Sequence, residues 1–413
     1  MKKDFDVVII GAGPAGSIAA ARLLQDRLSV LVLEKTEFPR FVIGESLLPQ
    51  SMDYLEKAGL LKAVETQNFQ LKTGVAFYHD NKICDFFFKD RFSEGWDFAY
   101  QVKRADFDHT LIKEVESKGA KVLFNATVTN VVTSKNQQTV TYTLANGEEK
   151  TVTCDFVIDA SGYGRVLPRM FNLEKDSDSA PRGAIFSHVM DEKRSNKASE
   201  NIFIYDFNDN KAWIWCIPFS DRTCSVGVVG DADLVKEFGE NDGAKFRAMV
   251  NDFPGLNDRF KEAEYIFEPR QILNYAVSVE KMYGEGFVLC GNSTEFLDPV
   301  FSSGVTLAIT SGYKAAELVI KQLNGESVDW ENDYEKVVKY GVNVFRSYVE
   351  AWYSGDLHTI FFVEEGNFEF KKQICSVLAG YVWDETNPFA RKHKTVLTTL
   401  AKVIRITNEA AMK

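Results

Sequence analysis

An apolar run at residues 7–10 ends in the pattern Gly-x-Gly-x-x-Gly, and an alanine-rich stretch typical of a helix follows it. In such a turn the glycines let a diphosphate approach the backbone, and the helix N-terminus offers it free N–H groups and partial positive charge. Glu34 ends the next apolar run, where a carboxylate can bind ribose hydroxyls. This spacing predicts a dinucleotide site. The residues predicted to contact the dinucleotide here are Gly11, Gly13, Pro14, Ala15, Gly16, Glu34 and Lys35.

The elements that must position this site follow from the apolar pattern. Strand, glycine turn, helix and strand make one βαβ unit, whose fully apolar strands predict a parallel sheet buried on both faces. Similar apolar runs return at residues 155–159 and 286–290, and Asn146-Gly147 predicts a hairpin before the first of them. From about 166 to 280 the strands become short and aromatic, which predicts a second, antiparallel sheet.

We therefore predict an α/β fold in which a Rossmann-like dinucleotide-binding domain is interrupted by a second domain and then resumed. The first part covers residues 1–165, with an excursion into the second sheet at about 66–98. A substrate domain built on an antiparallel β-sheet follows at 166–280. The binding domain resumes at 281–331, and a C-terminal helical region covers 332–413.

Charge and composition exclude several classes of protein. The net charge of −11 at pH 7, without a basic stripe, argues against nucleic-acid binding. No run of 18 apolar residues occurs, so we expect no transmembrane segment. The six cysteines lie far apart and the five histidines are scattered, so neither a metal site nor a Ser-His-Asp site is predicted. Dispersed cysteines indicate free thiols in a reducing compartment, and we expect a cytoplasmic protein.

Three later stretches resemble the FAD-dependent aromatic hydroxylase superfamily, whose fold is that of para-hydroxybenzoate hydroxylase. Residues 286–299 are similar to its second flavin-contacting turn, although Gly291-Asn292 stands where the family usually has Gly-Asp. Residues 158–165 resemble its central strand-end motif, and Arg104 resembles the arginine that reaches the dinucleotide. The resemblance implies FAD as the cofactor. The further FAD contacts that it implies are Arg40, Gly44, Ser46, Arg104, Val128, Asp159, Gly162, Gly291, Asn292, Asp298, Gly304 and Val305.

Within this superfamily, three motifs resemble flavin-dependent halogenases. They are the loop at residues 38–47, the pattern Trp-x-Trp-x-Ile-Pro that begins at Trp213, and the loop at 298–305. The C-terminal helices resemble those of halogenases that act on phenols or pyrroles rather than on free tryptophan.

This resemblance implies that reduced FAD, oxygen and halide generate hypohalous acid, which reaches an electron-rich aromatic substrate, either free or tethered to a carrier. The amides of Ser303 and Gly304 would hold the halide, Trp213 and Trp215 would line the tunnel to the substrate, and Lys72 would hold or activate the oxidant. The sequence has no second glycine fingerprint for a nicotinamide, so a separate flavin reductase is expected to supply reduced FAD.

Other interpretations stay open at this point. Lys72 is also compatible with a solvated strand lysine, and the two tryptophans, at i and i+2 on one strand face, are also compatible with ordinary core packing. The same fold also serves an aromatic hydroxylase, a double-bond reductase resembling the geranylgeranyl reductases, and a non-catalytic flavin-binding redox protein. Product analysis separates the three enzymes, because the product gains halogen, oxygen or two hydrogens.

Overall fold

The computed structural model describes residues 3–177, 180–194, 200–207, 211–363 and 366–411. Within these ranges a mostly parallel sheet, a mostly antiparallel sheet and a set of C-terminal helices share one large hydrophobic core. None of the described helices is long and apolar enough to cross a membrane.

The first sheet contains the predicted βαβ unit. Its strands are β1 (Phe5–Ile10), β2 (Val30–Leu33), β7 (Lys121–Leu123), β8 (Ala126–Val132), β9 (Gln138–Leu144), β10 (Glu149–Asp159), β18 (Tyr283–Gly284) and β19 (Phe287–Leu289). They lie in the order β18-β19-β10-β1-β2-β7, and the hairpin partner β9 joins β10 to β8. At the centre, β1 pairs in parallel with β2 and β10, so that Val7 lies opposite Val30 and Phe156. The predicted hairpin at Asn146-Gly147 is confirmed by the pairing of β9 with β10.

The second sheet has seven strands. They are β4 (Gly74–His79), β5 (Lys82–Phe87), β12 (Arg182–Met190), β13 (Ile202–Phe207), β14 (Ala212–Pro218), β15 (Thr223–Asp231) and β16 (Arg270–Leu273). Their order is β16-β12-β15-β14-β13-β4-β5, and all pairs are antiparallel except β13 with β4, where Ile204 lies opposite Phe77. Two short antiparallel pairs complete the strands, β3 (Gln70–Lys72) with β6 (Ala99–Gln101) and β11 (Glu174–Lys175) with β17 (Ser278–Val279).

Thirteen α-helices occur in the described part of the chain. They are α1 (Pro14–Gln25), α2 (Pro49–Lys57), α3 (Leu61–Glu65), α4 (Arg104–Ser117), α5 (Val166–Met170), α6 (Ala232–Asp252), α7 (Asn257–Phe260), α8 (Ser303–Leu323), α9 (Lys336–Tyr353), α10 (Asp356–Phe361), α11 (Phe368–Leu378), α12 (Pro388–Arg391) and α13 (His393–Ala411). The C-terminal region is mostly helical, as predicted. Helix α6 was not predicted; it buries Val235, Phe246 and Val250 against the second sheet.

The start of α1 lies in backbone contact with the end of β1. A Cβ atom on Gly16 would lie 2.0 Å from the carbonyl oxygen of Gly11, so only glycine fits there. Gly11 itself has φ +99°, and a Cβ atom on it would lie 2.5 Å from the carbonyl oxygen of Ala160. On its other side α1 meets α8, where a Cβ atom on Gly312 would lie 2.3 Å from the carbonyl oxygen of Ala15. Contacts with the end of β1, with the residue after β10 and with α8 therefore fix the position of the glycine turn and the start of α1.

We expect Gly16→Ala to lower the free energy of unfolding by about 1–3 kcal/mol, because the added methyl group overpacks against the Gly11 carbonyl. Urea unfolding of the two proteins measures this change. Gly366→Ala is the matched control, since its Cβ atom would lie 3.5 Å from the nearest side-chain atom, an ordinary contact. Equal stability of both variants would contradict the close approach of α1 to β1.

Candidate functional site

A cavity of about 320 Å³ lies where β1, β2 and β10 end and α1 and α8 begin. In open α/β sheets, ligands bind at this carboxyl edge of the parallel strands. Most of the residues predicted to contact the dinucleotide line the cavity: Gly11, Gly13, Pro14, Ala15, Glu34, Lys35, Arg40, Gly44, Ser46, Arg104, Gly162, Gly291, Asn292, Gly304 and Val305. The fold thus brings together segments that are far apart in the sequence.

The carboxylate of Glu34 is held in a fixed orientation at the end of β2. Its Oε2 accepts a hydrogen bond from the amide of Ala12 at 2.9 Å. Its Oε1 accepts from the amide and the hydroxyl of Thr36 at 3.0 and 2.7 Å. Glu34 lines the cavity and is only 6% exposed. A carboxylate held in this way is suited to accept hydrogen bonds from ribose hydroxyls.

Two arginines at the edge of the cavity share one buried carboxylate. Asp108, on α4, accepts from Nε and Nη2 of Arg104 at 2.8 and 2.9 Å and from Nη1 of Arg40 at 3.0 Å. Arg104 also donates to the carbonyl oxygen of Ile43 at 2.8 Å, which fixes the guanidinium further. Since two positive charges face one negative charge, net positive charge remains to bind a pyrophosphate.

The second glycine turn faces the first across the start of α1. Gly291 has φ +61°, and its Cβ atom would lie 3.2 Å from the Cβ atoms of both Ala15 and Ala308. Its amide donates to the hydroxyl of Ser311 at 2.9 Å. Asn292, which stands where the related enzymes have aspartate, lines the cavity. The turn therefore offers an amide where that superfamily offers a carboxylate.

The N-terminus of α8 also opens on the cavity. Ser302 precedes the helix with φ +57°, and Ser302, Gly304 and Val305 line the wall. The first N–H groups of a helix lack partners within it, and the dipole of this 21-residue helix adds partial positive charge there. This corner of the cavity is suited to a small anion.

Two tryptophans form another side of the cavity. Trp213 and Trp215 lie on the same face of β14, with ring centroids 5.9 Å apart, and both line the cavity. The indole of Trp215 donates to the hydroxyl of Ser225 at 3.0 Å. It packs over Gly227, where a Cβ atom would lie 2.2 Å from the ring. Hydrogen bonds and packing therefore fix both rings.

A hydrogen-bond chain joins this wall to the loop before α8. Trp213 Nε1 donates to the hydroxyl of Tyr353 at 3.0 Å, and that hydroxyl donates to Asp298 Oδ2 at 2.8 Å. Tyr275 donates to the same oxygen at 3.2 Å, while Oδ1 of Asp298 accepts from the amide of Val300. Burial raises the pKa of Asp298, and these hydrogen bonds and Arg182 oppose that rise.

Lys72 is buried at the end of β3 and is 1% exposed. Its Nζ donates to the carbonyl oxygen of Leu47 at 2.9 Å and lies 5.4 Å from the ring centre of Phe88. Burial lowers the pKa of Lys72 to about 7. Its side chain does not line the cavity; Leu47, to which it is bonded, follows Ser46 of the cavity wall. The interpretation of Lys72 as a solvated strand lysine is wrong.

Five residues that were predicted to contact FAD or the halide do not line the cavity. Gly16 packs α1 against β1, and Val128 is buried within β8. Asp159 is fully buried and accepts from the amides of Ser161 and Leu167, so it fixes the turn after β10. Asp298 and Ser303 are buried beside Ser302 and Gly304, which do line the wall.

Sequence reasoning missed a buried hydrogen-bonded pair of side chains at the edge of the cavity. Glu45 lines the wall, and its Oε1 lies 2.9 Å from Nε2 of His188 on β12. Phe296 and Tyr163 also line the wall, and their rings pack 5.3 Å apart. These contacts join distant segments and left no local signal. Asp108 did leave one, because an aspartate four residues after Arg104 on a helix predicts an ion pair.

The donor set of the cavity fits FAD. The two glycine turns let a dinucleotide approach the backbone closely, and Glu34 is suited to bind ribose hydroxyls. Arg40 and Arg104 are suited to bind the pyrophosphate, and the start of α8 is suited to bind a negative group.

Comparison with known proteins agrees with this assignment. The FAD binding domain family matches residues 4–334. A 1H-pyrrole-2-carbonyl-(peptidyl-carrier protein) chlorinase of Pseudomonas fluorescens is 28% identical over 412 residues, covering 92% of this chain and 90% of the relative. A solved flavoprotein/dehydrogenase from Cytophaga hutchinsonii is 46% identical, with a TM-score of 0.95, covering 98% of this chain and 99% of the other. The flavin-dependent brominase Bmp2 is 27% identical, with a TM-score of 0.82, covering 98% of each chain.

Fold and site together define an FAD-dependent oxidoreductase. The chain belongs to the FAD binding domain family, and the relatives that it resembles over most of its length include flavin-dependent halogenases. The predicted fold class, cofactor and family resemblance are thereby confirmed.

We expect Asp108→Asn to weaken FAD binding about tenfold or more, because Arg40 and Arg104 lose the charged acceptor that holds their guanidiniums together. Flavin fluorescence titration measures the dissociation constant. The control is Asp106→Asn, an exposed aspartate on the same helix. Unchanged affinity of the Asp108 variant, with folding verified by circular dichroism, would contradict this role.

Proposed function

We propose that the protein is a halogenase that uses reduced FAD, oxygen and halide to halogenate an electron-rich aromatic ring. The observation that carries this proposal is the pair Trp213 and Trp215, fixed rings that line the same cavity as the N-terminus of α8. A rigid aromatic wall beside the flavin cavity leaves room for a small oxidant and hinders a bulky organic substrate. This arrangement favours halogenation over direct hydroxylation, in which the organic substrate itself must reach the flavin.

Bound reduced FAD supplies the activation of oxygen that converts a halide ion to hypohalous acid. In this proposal the amides of Ser303 and Gly304 hold the halide, since the helix start offers unpaired N–H groups and positive potential. The chain Trp213–Tyr353–Asp298 keeps the wall and this loop in a fixed relation.

Lys72 is the proposed partner of the hypohalous acid. Its ammonium form can donate a hydrogen bond to the oxidant, and its neutral amine can react with it. Because burial lowers the pKa of Lys72 to about 7, both forms are present near neutral pH. Its removal from solvent also protects the oxidant from other nucleophiles.

The proposed substrate is a pyrrole or phenol ring, in its carrier-tethered form. This proposal rests on the chlorinase relative, whose name states a pyrrole-2-carbonyl group on a peptidyl-carrier protein. A separate flavin reductase would supply the reduced FAD. The six cysteines, all free and buried, support the proposed cytoplasmic location.

We expect the purified protein, given pre-reduced FAD, oxygen and bromide or chloride, to halogenate a small electron-rich trap for hypohalous acid. Lys72→Met should abolish this reaction while FAD binding and peroxide release persist, because the oxidant loses its amine partner. Mass spectrometry of the trap measures the product. Lys89→Met, an exposed lysine nearby, is the control and should stay active. Trap halogenation no greater than that produced by added peroxide would contradict the proposal, and a product with added oxygen or two hydrogens would indicate hydroxylation or double-bond reduction.

We expect a pyrrole-2-carbonyl group to gain halogen when it is carried as a thioester on a carrier protein and not when it is offered as the free acid. A short pantetheine thioester separates recognition of the acyl group from recognition of the carrier. Intact-protein mass spectrometry follows the carrier, and the carrier without an acyl group is the control. Equal turnover of the free acid would refute the carrier requirement and leave halogenation itself standing.

A further inference from the structure

Three potential metal ligands lie together outside the flavin cavity. They are His79 at the end of β4, Asp206 on β13 and His358 on α10. Nδ1 of His79 lies 2.8 Å from Oδ2 of Asp206, and Nε2 of His358 lies 3.4 Å from the same oxygen. Among the residues that the structure describes, this is the one group of three such side chains whose ligand atoms all lie within 4.8 Å of one another. We call it the His-Asp-His cluster.

The fold fixes all three side chains in place. Parallel pairing of β4 with β13 sets Tyr78 opposite Tyr205, so the next residues, His79 and Asp206, lie side by side. The ring of His358 packs 4.2 Å from that of Trp352 and 5.0 Å from that of His79. The cluster is therefore preorganised by the sheet and by the helices that cover it.

Two of the three ligands are buried and have polar atoms that lack a hydrogen-bond partner among the described residues. The side chain of His358 is 5% exposed, and neither ring nitrogen has a hydrogen-bond partner among the described residues. The side chain of Asp206 is 4% exposed, and its Oδ1 also lacks a partner within the described chain. A buried polar atom without a partner costs free energy, and a cation bound to Nε2 of His358 would give that nitrogen the partner it lacks.

We propose that the His-Asp-His cluster binds one divalent transition-metal ion, with zinc as the preferred ion. Two imidazole nitrogens and one carboxylate oxygen form a ligand set typical of zinc. Ligand atoms at about 2.0–2.2 Å from a tetrahedral zinc ion lie roughly 3.3–3.6 Å apart. The His358–Asp206 separation of 3.4 Å already fits, and the His79–Asp206 contact must lengthen slightly.

The surroundings of His79 agree with metal binding through Nδ1. Its other ring nitrogen, Nε2, lies 3.3 Å from Oδ2 of Asp80. Metal-bound histidines commonly donate their second N–H to a carboxylate, which fixes the ring and raises its basicity. The His79 side chain is 29% exposed, which leaves a path for the ion and for a water molecule as fourth ligand.

The bound ion would connect α10 to strands β4 and β13 of the second sheet. Asp206 lies opposite Trp213 in the pairing of β13 with β14, so the site adjoins the strand that carries the tryptophan wall. An ion that binds the folded chain and not the unfolded chain stabilises it by mass action. The site is thus structural and independent of the halogenase proposal.

The test uses full-length FAD-bound protein, first treated with a chelator and then titrated with Zn²⁺ or Co²⁺. We expect one equivalent to bind per chain, Co²⁺ to give the visible absorption of a four-coordinate site, and Zn²⁺ to raise the Tm. In His79→Gln and His358→Gln, binding should weaken about a hundredfold or more, since even outer partners of a metal ligand contribute about 10–100-fold. His393→Gln, whose ring contacts Ser347 elsewhere, is the control and should bind normally. Absence of binding, or equal binding by all variants, would overturn the proposal.

A second measurement keeps the test valid if a variant does not fold. Wild-type crystals soaked in Zn²⁺ should give an anomalous difference peak between His79, Asp206 and His358. A peak confined to other positions, or no peak, would overturn the proposal.

Discussion

The backbone contact between α1 and β1 is the constraint on which the rest of the site depends. At Gly16 the helix meets the carbonyl of Gly11 after β1, and at Gly11 the turn meets the carbonyl of Ala160 after β10, so neither position has room for a side chain. Because the start of α1 cannot move away, its free N–H groups stay at the edge where the parallel strands end. Gly291 packs against Ala15 of the same turn, so the second glycine turn takes its position from the first.

Charge is arranged around this fixed turn. Glu34 provides a negative group on one side, and Arg40 and Arg104, which share Asp108, provide net positive charge on another. The ribose and pyrophosphate parts of a dinucleotide carry hydroxyl donors and negative charge, so this arrangement orients it as well as binding it. Asp298 connects a further part of the site, since it accepts hydrogen bonds from the hydroxyl of Tyr353 and from the backbone amide of Val300. One buried carboxylate thereby joins the tryptophan wall to the start of α8.

Local rules explain what the sequence could predict. The glycine turn, the βαβ unit and the hairpin at Asn146-Gly147 depend on neighbouring residues, and the structure confirms them as elements. The pairing of β4 with β13 depends on tertiary contact and could not be read from either strand alone. Helix α6 did carry a signal, because its buried apolar residues recur at helical spacing, and the aromatic strands around it obscured that pattern.

In the candidate site, too, local sequence patterns could be predicted and tertiary contacts could not. Residues within motifs, such as Gly13 and Asn292, lie on the cavity wall, whereas Asp159, in the motif at 158–165, and Val128, on β8, are buried behind the wall and support the fold. A motif records which residues recur together and does not separate contact from support. The His188–Glu45 pair and the His-Asp-His cluster join segments that only the folded chain brings together.

Packing alone does not explain the burial of the Lys72 side chain. Its ammonium is buried against a neutral carbonyl, which does not compensate the lost hydration of the charge. Its pKa falls from 10.5 to about 7, so below about pH 7 the folded chain carries the full cost. As the pH rises toward 10.5 the folded state releases the proton first, and the free energy of unfolding increases. A methionine of similar length would fill the space without this cost. A buried amine that is partly neutral near pH 7 and is hydrogen-bonded to Leu47, the residue after Ser46 of the cavity wall, fits the proposed chemical role better than a stabilising one.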